Sequence, residues 1–104
     1  MQSARTLTLT TRPGTLRRAA MNKERVRVRG TVVDRGMGYS GSHTNTWLRI
    51  QTTAADVRVT ATHTSPLGTA TVGTKVELAC DLTGLLDVAE NLYFAKHAQL
   101  LNRS

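Results

Sequence analysis

The chain has 104 residues, of which 39% are hydrophobic and one is cysteine. A chain of this length forms one domain and buries roughly two-thirds of its unfolded surface, which excludes a second folded domain. The lone cysteine excludes an intramolecular disulfide. The formal charge of +7 arises from 14 Lys and Arg residues against 7 Asp and Glu residues, and it favours a polyanionic partner.

The positive charge is concentrated at the beginning of the chain. Residues 1–29 hold eight basic residues against Glu24 alone, which accounts for the whole net charge, while residues 30–104 are balanced. We therefore divide the chain into a basic N-terminal arm, residues 1–22, and a folded domain, residues 23–104.

The arm itself shows two local patterns. Thr6–Thr10 alternates like a short edge strand, and Arg12-Pro13-Gly14 indicates a turn. Residues 1–23 carry Arg, Ser and Thr without an acid, so organellar targeting stays open as an alternative, although Pro13-Gly14 would break the amphipathic helix that targeting requires. Met21 is an alternative start of the biological chain.

Five segments of the folded domain have the composition of β-strands. The first four alternate apolar and polar residues, the period of a half-buried strand, and the fifth is a less regular apolar run. The five predicted strands are Arg25–Val32, Trp47–Gln51, Asp56–Ala61, Lys75–Leu82 and Leu92–Leu101.

The segments between these strands predict their connections. Gly36–Asn45 holds three glycines and reads as a flexible hairpin loop, whereas Thr53–Ala55 is short enough for a tight turn. Ser65–Val72 suits one helical turn or a plain connector, and Gly84–Asn91 suits a loop. Five strands with a break between the third and the fourth predict an all-β protein, a five-stranded OB-fold barrel.

Strand alternation divides the side chains into two sets. The inward set holds Val26, Val28, Leu48, Ile50, Val57 and Val59, and Cys80 lies on the apolar face of the fourth strand as a buried thiol. The outward set of the first three strands holds Arg25, Arg27, Arg29, Trp47, Arg49, Gln51, Arg58 and Thr60. OB-folds use this face for oligonucleotides.

The outward residues suit nucleic acid, because guanidinium groups bind phosphates and an aromatic ring stacks a base for about 1–3 kcal/mol. Side chains around the glycine-rich loop would close over the bound strand. The predicted nucleic-acid-binding residues are Arg25, Arg27, Arg29, Arg35, Tyr39, His43, Trp47, Arg49 and Arg58. The structural alternatives are a solvated arginine face that guards a strand edge and a Trp47 covered by the arm or by a second subunit.

No pattern for catalysis or for a metal is present in the sequence. His43, His63 and His97 lie in different segments without nearby ligands, and neither paired carboxylates nor a phosphate-binding glycine loop occurs. We therefore expect no enzyme activity, no cofactor and no metal. No apolar run approaches the roughly 20 residues that span a bilayer, so we expect no membrane association and a cytoplasmic, nucleoid-associated protein.

Three segments carry a family resemblance: Val28–Val32, Thr71–Leu78 and Ala95–Leu101. Over about residues 24–102 the chain resembles the bacterial OB-fold single-stranded DNA-binding proteins, and among them most closely the primosomal replication protein N group. The resemblance implies a single-stranded DNA partner. The absence of an acidic tail after Leu101 and the scarcity of aromatic residues disfavour genome coating, which leaves an accessory role in DNA replication or in a mobile element.

Two other functions stay open from the sequence. OB barrels bind RNA with the same surface, so an RNA partner is the first alternative. The second is a protein interaction module of a replication, conjugation or phage assembly, with Trp47 and the arm as its interface. We also expect a homodimer or a higher homo-oligomer, joined through strand edges or the arm, with replication proteins as further candidate partners.

Overall fold

The structure, a computed structural model, describes residues 7, 9–40 and 43–103, apart from the side chains of Ser40, His43, Leu85 and Leu86. Its elements are, in chain order, α1 (Pro13–Met21), β1 (Arg25–Ser40), β2 (His43–Thr52), β3 (Asp56–Thr62), β4 (Lys75–Asp87) and β5 (Leu92–Arg103).

The strands form a closed barrel in the order β1-β2-β3-β5-β4, and β4 pairs with the beginning of β1. Four of the pairings are antiparallel, and β3 with β5 is parallel. The predicted all-β, five-stranded OB-fold barrel is confirmed. None of the helices in the described ranges is both long and apolar enough to cross a membrane.

The barrel interior is filled by the apolar residues of the alternating strands. Val28, Leu48, Ile50, Val57 and Val59 are completely buried, as predicted. The inward side of β4 is also buried, with Leu78 and Leu82 fully inaccessible to solvent. The period of two therefore predicted the core correctly, because each of these strands keeps one face against the others.

The predicted flexible loop over Gly36–Asn45 is wrong, because β1 continues to Ser40 and β2 begins at His43. Gly36 pairs with Trp47 in this hairpin. A Cβ at position 36 would lie 2.6 Å from atoms of the Trp47 ring, so the indole occupies the space that a side chain would need. The glycine here serves packing between two strands, as when an aromatic residue covers a glycine on the neighbouring strand.

The predicted basic N-terminal arm is not confirmed. Pro13 opens α1 instead of ending a turn, since the first helical position has no intrahelical use for the N–H that proline lacks. Leu16, Ala19 and Ala20 are buried in the barrel core. Their spacing at i, i+3 and i+4 gives α1 one apolar face, and this face packs on β4 and β1.

The residues before α1 lie against the first part of β1. Leu9 forms a parallel bridge with Arg27, and the backbone N–H of Thr10 donates to the Arg27 carbonyl oxygen at 2.8 Å. Pairing of β1 with β2 begins only at Gly30, so this segment covers an edge that β2 leaves free. Of the predicted strand Thr6–Thr10, positions 6 and 8 lie outside the described residues.

The connector between β3 and β4 closes the other end of the barrel. Leu67 and Ala70 are 3% and 1% exposed, and the Ser65 hydroxyl donates to the Thr62 carbonyl oxygen at 2.7 Å. The connector joins the end of β3 to the beginning of β4, whereas α1 precedes the beginning of β1. The segment is thus a connector without a helix, one of the two predicted forms.

We expect Leu16→Ala to lower the free energy of unfolding by about 3 kcal/mol, because it removes a fully buried side chain and leaves a cavity between α1 and the barrel. Urea unfolding followed by circular dichroism measures the change. Thr15→Ala, at an exposed position of the same helix, is the control and should change stability by less than about 0.5 kcal/mol. Equal stability of the two variants would contradict the packing of α1 in the core.

We expect the Cys80 thiol of the folded protein to resist a thiol reagent at pH 8. Its side chain is completely buried, and desolvation raises its pKa to about 12, so almost no thiolate is present. The protein unfolded in concentrated urea is the control and should react fully. Rapid modification of the folded protein would contradict the predicted core position.

Candidate nucleic-acid interface

Three of the predicted binding residues meet on the outward face of β2 and β3. The register places Trp47 opposite Gly36 of β1 and Thr60 of β3, and Arg49 opposite Arg58. Residues directly opposite each other share a face of the sheet. We call the outward surface formed by these five residues the tryptophan surface.

The Trp47 indole is held between a glycine and a guanidinium group. The ring packs on Gly36 from one strand, and the Arg58 Cζ atom lies 4.7 Å from the ring centroid on the other. Such a cation–π contact contributes about 0.5–2 kcal/mol, depending on its desolvation. Trp47 is half-buried. Because the Arg58 guanidinium group lies over its ring, the tryptophan surface presents a guanidinium plane supported by an aromatic ring.

The two arginines of this surface have different partners. Arg49 Nε lies 2.6 Å from Asp56 Oδ2, and Arg49 Nη1 lies 3.0 Å from Glu90 Oε1. These hydrogen bonds, first to Asp56 and then to Glu90, raise the pKa of Arg49. Among the described residues no carboxylate pairs with Arg58, and its Nε is buried without a hydrogen-bond partner. Of the two arginines of the tryptophan surface, Arg58 is therefore the one whose positive charge no described carboxylate compensates.

The arginines of β1 lie elsewhere, because this part of β1 pairs with β4. Glu77 pairs with two of these arginines. Its Oε1 accepts a hydrogen bond from Arg29 Nη2 at 2.9 Å. Its Oε2 lies 3.0 Å from Arg27 Nε, an ion-pair contact without hydrogen-bond geometry. The structure does not bring these arginines to the tryptophan surface.

Arg25 pairs with Asp81, which also binds a histidine. Asp81 Oδ1 accepts from Arg25 Nη1 at 3.0 Å, and Asp81 Oδ2 lies 2.8 Å from His97 Nδ1. The bond to His97, followed by the bond to Arg25, lowers the pKa of Asp81. Arg25 also donates to the His97 carbonyl oxygen at 3.1 Å, so it fastens β1 to β5.

Of the side chains around the glycine-rich segment that were predicted to close over the bound strand, Arg35 lies apart from Tyr39 and His43 along the hairpin. Arg35 shares the inward face with Leu48, and its guanidinium group donates to the carbonyl oxygens of Gly68 and Ala70 in the connector. It thus has a structural contact and lies away from the tryptophan surface. Tyr39 is 79% exposed near the end of the hairpin, and for His43 the description covers the backbone only.

A second basic surface is formed by α1 and the residues that flank it. The sequence analysis assigned these residues to an arm and did not predict that they form a surface of the folded domain. Arg12, Arg17, Arg18 and Lys23 are exposed, and none has a carboxylate partner within the part of the chain that the structure describes. The apolar spacing of Leu16, Ala19 and Ala20, which defines the opposite face of the helix, was the available signal. We call these four basic residues the helix surface.

The described residues contain no group of three or more His, Cys, Asp or Glu side chains that could hold a metal ion.

The sequence matches no protein family profile and no curated protein. Among solved structures, the chain is similar to a proposed nucleic acid-binding lipoprotein from Klebsiella pneumoniae subsp. pneumoniae, with a TM-score of 0.68, 12% identity and coverage of 92% of each chain. At this identity the likeness concerns the fold alone. The resemblance to the primosomal replication protein N group is not confirmed by a family match. Strand order and structural similarity agree that the chain is a five-stranded, OB-like barrel.

Proposed function

We propose that the chain is a non-catalytic single-stranded DNA-binding protein that holds its ligand on the tryptophan surface. The observation that carries this proposal is the guanidinium group of Arg58, stacked on Trp47 and free of any described carboxylate. OB-folds bind oligonucleotides on this side of the barrel, and the structurally similar lipoprotein is described as nucleic acid-binding.

The Arg58 and Trp47 pair suits a single strand for two reasons. A guanidinium group offers its edge to phosphate oxygens and its plane to an unstacked base. Support by the indole reduces the conformational freedom that Arg58 would otherwise lose on binding. Neither contact reads a base edge, so binding should show little sequence preference.

Two further groups extend the proposed interface. Tyr39, whose exposed ring lies at the end of the hairpin on the side of β1 that carries Arg35, stays a predicted contact for another base. The helix surface adds phosphate contacts, since it holds cations that no described acid neutralises. Arg25, Arg27 and Arg29 stay predicted contributors, although the nearby carboxylates of Glu77 and Asp81 compensate their charge.

The biological setting belongs to the same proposal. The family resemblance supports DNA over RNA and an accessory role in DNA replication or in a mobile element, in a nucleoid-associated protein of the cytoplasm. Self-association as a homodimer or higher homo-oligomer is also proposed, joined through strand edges or the N-terminal segment. Such a dimer would double the basic track.

We expect Arg58→Gln to weaken oligo-dT binding at least tenfold, because it removes the charge and the stacked plane together. Arg58→Lys, which keeps the charge only, should lose less affinity. Fluorescence anisotropy of a labelled oligonucleotide at two salt concentrations measures the affinity, and Gln51→Ala, on the same outward face, is the control. A folded Arg58→Gln variant with the parent affinity would contradict the proposed interface.

We expect the double variant Arg17→Ala, Arg18→Ala to reduce the slope of log K against log salt by roughly 1.4, since each phosphate contact on a single strand contributes about 0.7. The matched control is Lys75→Ala combined with Lys96→Ala, which lowers the net charge equally on other elements. If both double variants show the same slope, net charge rather than the helix surface governs binding.

A further inference from the structure

The barrel has an opening between β3 and β5. These strands pair at three positions only, Asp56 with Leu92, Val57 with Tyr93 and Arg58 with Phe94. Beyond this point β3 continues to Thr62 and β5 to Arg103 without a described pairing between them. An open groove of about 700 Å³ lies along the two strands and reaches the connector. We call it the β3–β5 groove.

The groove has an apolar wall and neutral polar groups. Leu100 and Leu101 contribute to the apolar wall, while Asn45, Thr60 and Asn102 supply amide and hydroxyl groups. Within the described part of the chain, the lining includes no Lys, Arg, Asp or Glu, and the nearby guanidinium group of Arg103 donates to the carbonyl oxygen of Pro66 at 3.2 Å. A few polar groups on an apolar wall suit a flat ligand with hydrogen bonds at its edge.

The groove opens onto the tryptophan surface. Thr60, which lines the groove, is the register partner of Trp47, and Asn45 lies two residues before Trp47 on the same side of β2, about 7 Å along the strand. A nucleic-acid strand held at Arg58 would therefore pass the mouth of the groove. This continuity favours a nucleotide over a ligand of unrelated origin.

His97 places an imidazole ring at the groove in a constrained position. Its φ is +54°, a conformation that non-glycine residues seldom adopt, and the pairing of β4 with β5 is irregular at this point. Nδ1 lies 2.8 Å from Asp81 Oδ2, and Arg25 binds the His97 carbonyl oxygen. One bond thus orients the ring and the other holds the backbone, and the exposed ring face is open to a ligand. Histidine rings stack on unpaired bases.

We propose that the β3–β5 groove binds one nucleobase of the strand held at the tryptophan surface, with His97 stacking on it and Asn45 and Asn102 bonding its edge. This inference rests on the proposed function. The sugar-phosphate backbone stays outside, beside Arg58, because no Lys or Arg among the described residues lines the groove.

The experiment compares oligo-dT with an oligonucleotide of the same length in which abasic residues replace the bases. The parent should bind the base-bearing strand at least tenfold more tightly. Asn45→Ala combined with Asn102→Ala, and separately Ala98→Phe, which fills the groove, should each reduce this preference threefold or more. Affinity for the abasic strand and the salt dependence should stay unchanged. Gln99→Ala, exposed on β5 outside the lining, is the control.

Photo-crosslinking of the parent with 4-thiothymidine in oligo-dT provides a second measurement that does not depend on the folding of a variant. Attachment to Asn45, to residues 61–62 or to residues 97–102, located by mass spectrometry, would support the proposal. Attachment confined to residues 36–39, 47–58 and Thr60 would overturn it.

The outcomes separate the two proposals. A parent that binds neither oligonucleotide removes the proposed function, and this inference with it. A parent that prefers the base-bearing strand while every groove variant keeps the same preference overturns the base site alone. Groove variants that bind oligo-dT normally but lose binding to an extended peptide would instead identify a peptide site, and would equally overturn the proposal.

Discussion

The structure depends on the register of the barrel strands, because each strand alternates residues that must be buried with residues that cannot be. In β1, Val26 and Val28 lie in the core while the arginines on either side reach solvent. A slip by one residue would bury guanidinium groups in place of valines, at a cost that no packing gain offsets. The same register turns Trp47 and Arg58 outward together, so the core determines which side chains form the tryptophan surface.

Carboxylates decide where the positive charge of this surface is available. Glu77 and Asp81 of β4 hold the arginines of β1, and Asp56 and Glu90 hold Arg49. Exposed ion pairs contribute little to the free energy of folding. Their larger effect here is on the distribution of charge: within the described residues, Arg58 and the helix surface are left without acidic partners. The charges of Arg25, Arg27, Arg29 and Arg49 are thereby compensated by nearby acids, while the charge of Arg58 on the same sheet is not.

The two ends of the barrel are closed by different means, and one wall is left open. α1 covers one end with Leu16, and the connector covers the other end with Leu67. Arg35 holds the connector in place through hydrogen bonds to the carbonyl oxygens of Gly68 and Ala70. Between β3 and β5 only three residue pairs join the sheet. The β3–β5 groove is the consequence, and its position beside Thr60 connects it to the proposed path of the nucleic acid.

Local periodicity was enough to predict much of this protein. The period of two in β1 to β4 identified the strands, the inward valines and the outward position of Trp47 and Arg58, since alternation is a property of the extended backbone itself. The break after β3 indicated the barrel class. The glycines before Tyr39 and the pair Pro13-Gly14 misled, because each is compatible with both a loop and a regular element, and only packing against Trp47 or the core selects between them.

Tertiary structure alone decided which side chains meet. Arg35 contacts carbonyl groups 33 and 35 residues later in the chain, and Arg25 meets an acid 56 residues away. Such partners are set by which strands become neighbours and in which register, and no local pattern contains that information. The same holds for the opening between β3 and β5. The sequence by itself determined the faces of the strands, and the closure of the barrel decided the partners of the arginines, the stack of Arg58 on Trp47 and the groove beside it.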